Sequence, residues 1–325
     1  MGSPLWEIET LKTSALHFSP DLPKRFDFDQ SILIYDAVLE KKFSSWIRRF
    51  PRRYKVRSGE TLKAAEAFVA HARRLSRLSE GLSPSLMQIV AFGGGSVGDF
   101  AGFWASVFKR GVNLVQVPST WLAALDSAHG GKTALNLGGV KNQIGSFYPA
   151  SQVYLCRAVL ASQGNERFKE AWSEAIEIAL LDGPGLWRKV NSVRNEAQVF
   201  SLLPLLIQAK MKIVARDPFE KTGVRHLLNL GHTLGHVFEA ALGLSHGYSV
   251  GLGLRFAVNW SAWAENSRFC REQELRGLPT TPELQHALRR LRNPARFLLH
   301  DKKLAASKKI RFVLLKSPGR PVIRE

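Results

Sequence analysis

The chain has 325 residues, enough to bury a large core and, by length, to form about two domains. Lysine and arginine total 46 against 27 aspartates and glutamates, and the net charge of +19 suits partners that carry negative charge, such as nucleic acid or acidic small substrates. The sequence has no run of about 18 apolar residues, no signal-peptide pattern and no closely spaced cysteines, so we expect a reduced, cytoplasmic protein without a membrane span.

The first half of the chain alternates strand-like and helix-like segments, which is typical of an α/β domain built on a parallel sheet. Strands are predicted at 31–35, 87–92 and 114–117, and apolar residues at near-3.6 spacing predict a helix over 60–79. From about residue 166 the predicted segments are long and helical, at 168–181, 198–215, 225–242, 250–266 and 281–291, before a late strand over 309–315. We therefore expect an α/β nucleotide-binding domain over 1–157 and a mainly α-helical metal- and substrate-binding domain over 158–325.

A glycine-rich turn, Gly93–Asp99, follows the strand predicted at 87–92 and leads into an apolar helical segment. This layout brings backbone N–H groups and a helix N-terminus against a phosphate, and glycine lets that phosphate approach closely. The acidic residue that usually ends the next strand is replaced by Pro118-Ser119-Thr120, and the nearest candidate is Asp36, after an upstream strand. The turn predicts a nucleotide site of non-standard topology, and a tight turn without a ligand is the alternative.

The segment after this turn is rich in glycine, lysine and hydroxyl groups. Its Gly-Gly-Lys-Thr sequence at 130–133 is not a phosphate-binding P-loop, because Asp126 stands where the first glycine of that motif is required. Lys132 and Lys141 could still bind a phosphate as point charges, or be solvated at the surface.

Two histidines, His232 and His236, are spaced to lie on one face of a helix, where two imidazoles can meet one metal or one substrate. No glutamate follows His232, which excludes the H-E-x-x-H metalloprotease pattern. Glu174 is a candidate third ligand, since one carboxylate and two imidazoles around an open position suit a divalent metal acting as a Lewis acid. Two hydrogen-bonded core histidines are the alternative.

Several of these motifs, in this order and spacing, resemble the 3-dehydroquinate synthase family of sugar-phosphate cyclases. The resemblance runs from about Ser58 to Lys303. The motifs that carry it are Gly93–Asp99, Asp126–Lys132, Lys141-Asn142, Asn229–His236 and His246-Gly247.

The resemblance implies NAD and a divalent metal, zinc or cobalt, as cofactors. The implied NAD contacts are Asp36, Glu60, Lys63, Gly94, Gly95, Ser96, Asp99, Ser119, Thr120, Lys141 and Asn142. The implied metal ligands are Glu174, His232 and His246, which leaves His236 to face the substrate. The implied catalytic and substrate-binding residues are Asp126, Lys132, Asn142, Lys210, Glu220, Arg225, Asn229 and His236. The resemblance also implies that Arg110 reaches across a homodimer interface and that a lysine late in the sequence, Lys302 or Lys303, contacts the substrate.

The implied activity is a phosphate-eliminating lyase reaction in the shikimate pathway of aromatic amino acid biosynthesis. It converts 3-deoxy-arabino-heptulosonate 7-phosphate, a phosphorylated keto acid, to 3-dehydroquinate and phosphate. NAD takes hydride from the carbon that bears a ring hydroxyl, whose proton is lost, and the new ketone acidifies the neighbouring C–H so that phosphate can leave. The hydride is then returned, and the ring opens and closes again by an aldol step. In this scheme Lys132, Asn142 and His236 bind the phosphate, while Arg225 and Lys210 bind the carboxylate.

The sequence departs from the family pattern at two places. Glu177 stands three residues after the implied ligand Glu174, where the family usually carries a lysine, and the segment from Glu220 to Arg225 is one residue longer than expected. Glu177 could accept a hydrogen bond from a substrate hydroxyl, pair with Lys210, or mark a different sugar phosphate.

Three other functions stay open. A cyclase of sedoheptulose 7-phosphate or glucose 6-phosphate is the first, and a metal-dependent alcohol dehydrogenase is the second. A nucleic-acid binder is the third, motivated by net charge alone, because the basic residues are dispersed and no nucleic-acid-binding motif accompanies them.

Overall fold

The computed structural model describes residues 14–261, 278–292 and 310–325, and in the helix that begins at Asn165 it describes no side chain before Phe168. The chain divides into two compact units, Met1–Leu160 and Ala161–Glu325. Lys302 and Lys303, together with the predicted end of the helix over 250–266, lie outside the described residues.

The first unit contains a six-stranded parallel sheet. Its strands are β1 (Ala15–Ser19), β2 (Ser31–Asp36), β3 (Arg52–Val56), β4 (Gln88–Gly93), β5 (Asn113–Pro118) and β8 (Gln152–Cys156), in the spatial order β1-β8-β5-β4-β2-β3. An antiparallel hairpin of β6 (Lys132–Leu137) and β7 (Val140–Phe147) is separate from this sheet. Every residue of β2 and β4 is buried, as expected of strands covered on both faces. The predicted parallel α/β architecture is confirmed.

Four helices accompany the sheet among the described residues of the first unit: α1 (Glu40–Ile47), α2 (Ala65–Leu78), α3 (Gly95–Val107) and α4 (Arg157–Leu160). The prediction of a helix from residue 60 is wrong at its start. Residues 60–64 form turns instead, in which the amide of Lys63 donates to the carbonyl of Glu60 over 3.1 Å. The hairpin of β6 and β7 was not predicted, because its glycine- and lysine-rich sequence has no clear alternation of apolar and polar residues.

The second unit is mainly helical, as predicted. Its helices are α5 (Asn165–Asp182), α6 (Pro184–Ser192), α7 (Glu196–Arg216), α8 (His232–Leu242), α9 (His246–Trp260) and α10 (Thr281–Arg290), followed by a hairpin of β9 (Phe312–Ser317) and β10 (Arg320–Arg324). The single helix predicted over 225–242 is wrong. The chain forms a short 3₁₀ helix, Val224–Asn229, and α8 starts afresh after Gly231, whose φ of 85° interrupts the helix.

One described helix, α7, is long and apolar enough to cross a membrane by length and composition alone. The core helices of soluble proteins pass the same test. Val199, Leu203 and Ile207 of α7 are buried within this unit, and so is Lys210, a residue that is costly to place in a bilayer.

Helices α5 and α9 of the second unit approach closely at Gly247, where the hydroxyl of Ser173 donates to the Gly247 carbonyl over 2.9 Å. A Cβ at Gly247 would overlap the backbone carbonyl of Glu170. We expect Gly247→Ala to lower the free energy of unfolding by more than about 3 kcal/mol or to prevent folding, because a backbone cannot yield as a side chain can. Gly185→Ala is the matched control, since a Cβ there meets nothing within 4 Å. Thermal unfolding of both variants checks this, and equal midpoints would contradict it.

Candidate nucleotide and metal sites

The carboxyl ends of β2, β4 and β5 lie side by side at one edge of the first unit's sheet. Three predicted nucleotide contacts lie at these strand ends: Asp36 is the last residue of β2, Gly94 follows β4 and Ser119 follows β5. From β2 the chain continues to β3 on one side, and from β4 it continues to β5 on the other. This reversal between β2 and β4 is where open α/β sheets bind their ligands.

Two glycines at this edge lie close to neighbouring side chains. A Cβ on Gly94 would lie 3.2 Å from Cγ2 of Thr120, and one on Gly95 would lie 3.1 Å from Oγ of Ser127. Gly94 is also the N-cap of α3, and no described side chain caps that helix end. The first-turn amides of α3 are therefore suited to an anionic group such as a pyrophosphate.

Lys63 is buried and joins three separate segments beside this edge. Its Nζ lies 2.6 Å from Oδ2 of Asp99 on α3 and donates to Oδ1 of Asn142 on β7 over 2.7 Å. Burial raises the pKa of Asp99, and the ammonium group of Lys63 opposes that rise. The turn at residues 60–64, α3 and the hairpin are thus held together by one buried cation.

Further hydrogen bonds connect Asn142 to Glu60. The backbone amide of Asn142 donates to Oδ1 of Asn136 over 3.0 Å, and Nδ2 of Asn136 donates to Oε2 of Glu60 over 2.7 Å. Lys141 lies 3.6 Å from the other oxygen of Glu60, in an exposed ion pair. Four of the predicted cofactor contacts, Glu60, Lys63, Lys141 and Asn142, therefore form one connected network, and Ser96 joins the same region by accepting from the amide of Gly59 over 3.0 Å.

The remaining predicted residues of the first unit are more dispersed. Asp36 accepts a bond from the amide of Val38 over 3.3 Å and so caps a turn. Asp126 lies in a π-helical turn, Ala123–Ser127, and Lys132 is exposed at the start of β6. Arg110 is exposed and has a φ of 67°, an unusual backbone conformation for a long side chain.

In the second unit, Glu174, His232 and His246 come together from three helices. One ligand atom of each lies within 4.8 Å of the other two, and among the described residues no other such group of histidine, cysteine, aspartate or glutamate is found. Oε1 of Glu174 lies 3.1 Å from Nε2 of His232 and 3.6 Å from Nε2 of His246. His232 and His246 each begin a helix, because α8 starts after Gly231 and α9 starts after Ser245.

Charge couples these groups strongly. Burial favours the neutral form of Glu174, but the two imidazoles outweigh it and hold the pKa of the carboxyl well below its usual range. Burial likewise opposes the charged form of His246, but Glu174 and Glu239 outweigh it and raise the pKa of the imidazole to about 10. Glu174 and His246 therefore each stabilise the charged state of the other.

This donor set fits a divalent metal such as zinc or cobalt. Two imidazole nitrogens and one carboxylate oxygen leave a coordination position for a substrate, as catalytic zinc sites do. A further carboxylate lies on the other side of each ring: Glu239 is 2.9 Å from Nδ1 of His246, and Glu177 is 3.3 Å from Nδ1 of His232. His236 lies beside the group, with ring centroids 5.5 Å from His232 and 6.1 Å from His246.

The described residues of this unit include three buried cations, Lys210 on α7, Arg225 on the 3₁₀ helix and Arg255 on α9. The guanidinium of Arg225 donates to the carbonyl of Pro218 over 3.1 Å, and the backbone amide of Arg225 donates to Oδ2 of Asp217 over 3.3 Å. Burial raises the pKa of the Asp217 carboxyl, but bonds from backbone amides that include that of Thr222 outweigh it and lower the pKa to about 2. The carboxylate of Asp217 therefore organises the loop that presents Arg225.

Glu220 and Asn229 lie in the same part of the chain as Arg225. Glu220 has a φ of 55°, and its amide donates to the carbonyl of Asp217 over 3.1 Å, so its backbone belongs to the turn that Asp217 organises. Asn229 is half-buried at the end of the 3₁₀ helix. Their catalytic roles stay predictions.

Two residues that contact the candidate site residues were not predicted from the sequence. Asn136 connects Glu60 to Asn142, and Glu239 contacts His246. Glu239 was detectable in principle, since it is three residues after His236 and shares its helix face. Asn136 gave no signal, because it lies in the strand β6 that was not predicted.

Two models of the same family match the chain in succession. The 3-dehydroquinate synthase N-terminal domain matches residues 53–170, and the C-terminal domain matches residues 171–304. The 3-dehydroquinate synthase of Leptospira interrogans serogroup Icterohaemorrhagiae serovar copenhageni is 40% identical over 249 residues, which cover 72% of this chain and 67% of that protein. The family that the motifs predicted is confirmed.

Solved structures of related folds cover nearly the whole chain. A 2-epi-5-epi-valiolone synthase from Streptomyces hygroscopicus with NAD⁺ and Zn²⁺ bound has a TM-score of 0.74 at 20% identity, covering 98% of this chain and 95% of its own. A 2-deoxy-scyllo-inosose synthase complexed with carbaglucose-6-phosphate, NAD⁺ and Co²⁺ has a TM-score of 0.70 at 24% identity, covering 95% and 91%. At these identities the likeness shows a shared fold.

Proposed function

The chain belongs to the 3-dehydroquinate synthase family, and on that premise we propose that it converts 3-deoxy-arabino-heptulosonate 7-phosphate to 3-dehydroquinate and phosphate. The observation that carries the proposal is the convergence of Glu174, His232 and His246 in a chain whose other unit holds a glycine turn at a sheet edge. NAD bound at that edge would accept and return a hydride, and a metal on the three ligands would polarise the oxygen that becomes a carbonyl.

The first unit would hold NAD and the substrate phosphate. The amides of Gly94, Gly95 and Ser96 would face the pyrophosphate at the N-terminus of α3. We assign the other NAD contacts to Asp36, Glu60, Lys63, Asp99, Ser119, Thr120, Lys141 and Asn142. Lys132 and Asn142 would bind the substrate phosphate, with Asp126 beside them, and in a homodimer Arg110 would reach the partner's site.

The second unit would hold the metal and the carboxylate end of the substrate. Lys210 and Arg225 are buried cations, and the planar fork of arginine matches a carboxylate with two hydrogen bonds. His236, Asn229 and Glu220 would complete the substrate contacts, together with Lys302. The leaving phosphate can itself accept the proton, so this chain needs few strong acids or bases of its own.

Phosphate release tests the proposal directly. The purified protein, incubated with NAD, zinc and 3-deoxy-arabino-heptulosonate 7-phosphate, is expected to release inorganic phosphate with no net absorbance change at 340 nm, because the hydride is returned. Net NADH accumulation would instead support an alcohol dehydrogenase. No phosphate from a protein that binds both NAD and metal would overturn the proposed substrate.

A cyclase of another sugar phosphate is the second candidate, and Glu177 is the observation that favours it. A carboxylate in place of the usual lysine removes a positive charge and adds a negative one beside the metal-binding group. Arg225 opposes this candidate, because sedoheptulose 7-phosphate and glucose 6-phosphate carry no carboxylate for the guanidinium to bind. Turnover of these substrates by the same preparation, side by side with the keto acid, distinguishes the two.

Arg225 gives a sharper test of the carboxylate. We expect Arg225→Met to lower kcat/KM for the keto-acid phosphate on the order of 100-fold, since loss of a buried charged partner costs about 2–5 kcal/mol. Arg225→Lys should retain part of the activity, and Arg216→Met, an exposed arginine nearby, should retain all of it. Steady-state kinetics on folded variants check this, and an unchanged kcat/KM in Arg225→Met would contradict the assignment.

We further propose that the protein works as a cytoplasmic homodimer. In this proposal a domain over 1–157 binds NAD, and a helical domain over 158–325 binds the metal and the substrate. No nucleic-acid partner is needed for this chemistry. Light scattering of the purified chain tests the dimer.

A further inference from the structure

His232 lies between two carboxylates of the same helix. Glu174 and Glu177 are three residues apart on α5 and so share one helix face. Oε1 of Glu174 is 3.1 Å from Nε2 of His232, and Oε2 of Glu177 is 3.3 Å from Nδ1. The two acids therefore face opposite edges of one imidazole, and Glu177 is on the edge away from the group of three ligands.

Glu177 is among the most deeply buried charged residues described, with 1% of its surface exposed. A carboxylate at this depth is costly unless polar groups surround it. Oε2 of Glu177 lies 3.3 Å from Nδ1 of His232 without meeting hydrogen-bond geometry, and Nδ1 has no hydrogen-bond partner among the residues that the structure describes. The position is nevertheless within reach of a bond once the ring is held by its other nitrogen.

The second histidine of the group shows the same arrangement. Nε2 of His246 faces Glu174 at 3.6 Å, and Nδ1 lies 2.9 Å from Oε2 of Glu239. Both rings thus direct Nε2 to the shared carboxylate and Nδ1 to a carboxylate of their own. A carboxylate that accepts the second ring proton fixes the tautomer and the orientation of a metal-binding histidine.

We propose that Glu177 is a positioning residue of the metal centre: its carboxylate accepts the Nδ1–H of His232 and directs Nε2 toward the cation. The inference rests on the metal site of the proposed function and deepens it. Glu177 then acts through His232 and has no need to contact the substrate. The carboxylates of Glu174, Glu177 and Glu239 together outnumber the charges of one divalent cation, so the centre favours retention of its metal.

Metal affinity is the decisive measurement, since it does not depend on turnover. We would measure the dissociation constants of Zn²⁺ and Co²⁺ by competition with a chelator, and the visible absorption of the Co²⁺ protein. Glu177→Gln is expected to weaken metal binding about tenfold and Glu177→Leu about 100-fold, with altered Co²⁺ bands. Asp182→Asn removes a carboxylate from the exposed end of the same helix, where it pairs with Lys212, and should leave metal binding unchanged.

Unchanged affinities in folded Glu177→Gln and Glu177→Leu would overturn the inference. If those variants do not fold, long-range ¹H–¹⁵N spectra of the zinc-loaded wild-type protein decide it: Nδ1 of His232 should be protonated and Nε2 metal-bound, and the reverse tautomer would overturn it. The two proposals can fail separately. Wild-type protein that releases no phosphate but loses metal affinity on mutation of Glu177 would refute the substrate alone.

Discussion

Glu174→Gln is expected to abolish metal binding and phosphate release together, each by at least about 1000-fold. Glu174 is buried and faces both His232 and His246, so it is the proposed ligand that the other two proposed ligands share. Glutamine preserves the shape of the side chain but removes the charge, and a neutral amide oxygen is a poor ligand for zinc. Chelator competition gives the metal affinity, and a phosphate assay gives the rate.

Three comparisons make this result specific. Removal of the metal from the wild-type protein with a chelator should give the same inactivity, reversed by adding zinc or cobalt. Asp182→Asn should behave as wild type, since it loses a carboxylate from α5 outside the metal-binding group. NAD affinity should be retained in Glu174→Gln, because every assigned NAD contact lies in the other unit. Full phosphate release from a Glu174→Gln protein without metal would exclude the metal from the reaction.

Periodicity and motif order were enough to predict the parallel α/β unit, the helical unit and the family. The strands predicted at 31–35, 87–92 and 114–117 are apolar runs that are too short for a typical buried helix, and they are buried in the structure. The proposed metal-binding group of Glu174, His232 and His246 was harder to predict, since the residues alone pointed to His232 with His236. Their spacing suits one helix face, but only tertiary packing of α9 brings His246, rather than His236, to Glu174.

The parts that the sequence did not disclose are those set by long-range contacts. Nothing local distinguishes Glu60 and Lys63 in a turn from the same residues in a helix, and the turn is held by bonds to Asp99 and Asn142, which are distant in sequence. Glu177 is the clearest case. Its spacing from Glu174 placed it on the correct helix face, but only the start of α8 after Gly231 sets the ring of His232 against it.

Lys63→Met is expected to lower stability by about 3 kcal/mol at neutral pH and to weaken NAD binding at least tenfold. Lys63 is a buried partner of Asp99 at 2.6 Å, and removing one member of such a pair leaves the other charge uncompensated. Burial already raises the pKa of Asp99, and loss of Lys63 moves that pKa further up. A carboxyl with a higher pKa in the folded state costs stability above its unfolded value of about 3.9, so the deficit should be largest at pH 7 and shrink as the pH falls toward 4.

The double variant Lys63→Met with Asp99→Asn separates folding from cofactor binding. It removes both charges, so most of the lost stability should return and the pH dependence of the deficit should disappear. NAD affinity should stay below that of the single variant Asp99→Asn if Lys63 contacts the cofactor, because the lost cation is not replaced and the single variant accounts for any contact made by Asp99. Thermal unfolding across pH gives the first quantity, and titration calorimetry with NAD gives the second. Recovery of both stability and NAD affinity would mean that Lys63 serves only to join α3 to the hairpin. A double variant as unstable as Lys63→Met would mean that the bond to Asn142, rather than charge, holds this edge together.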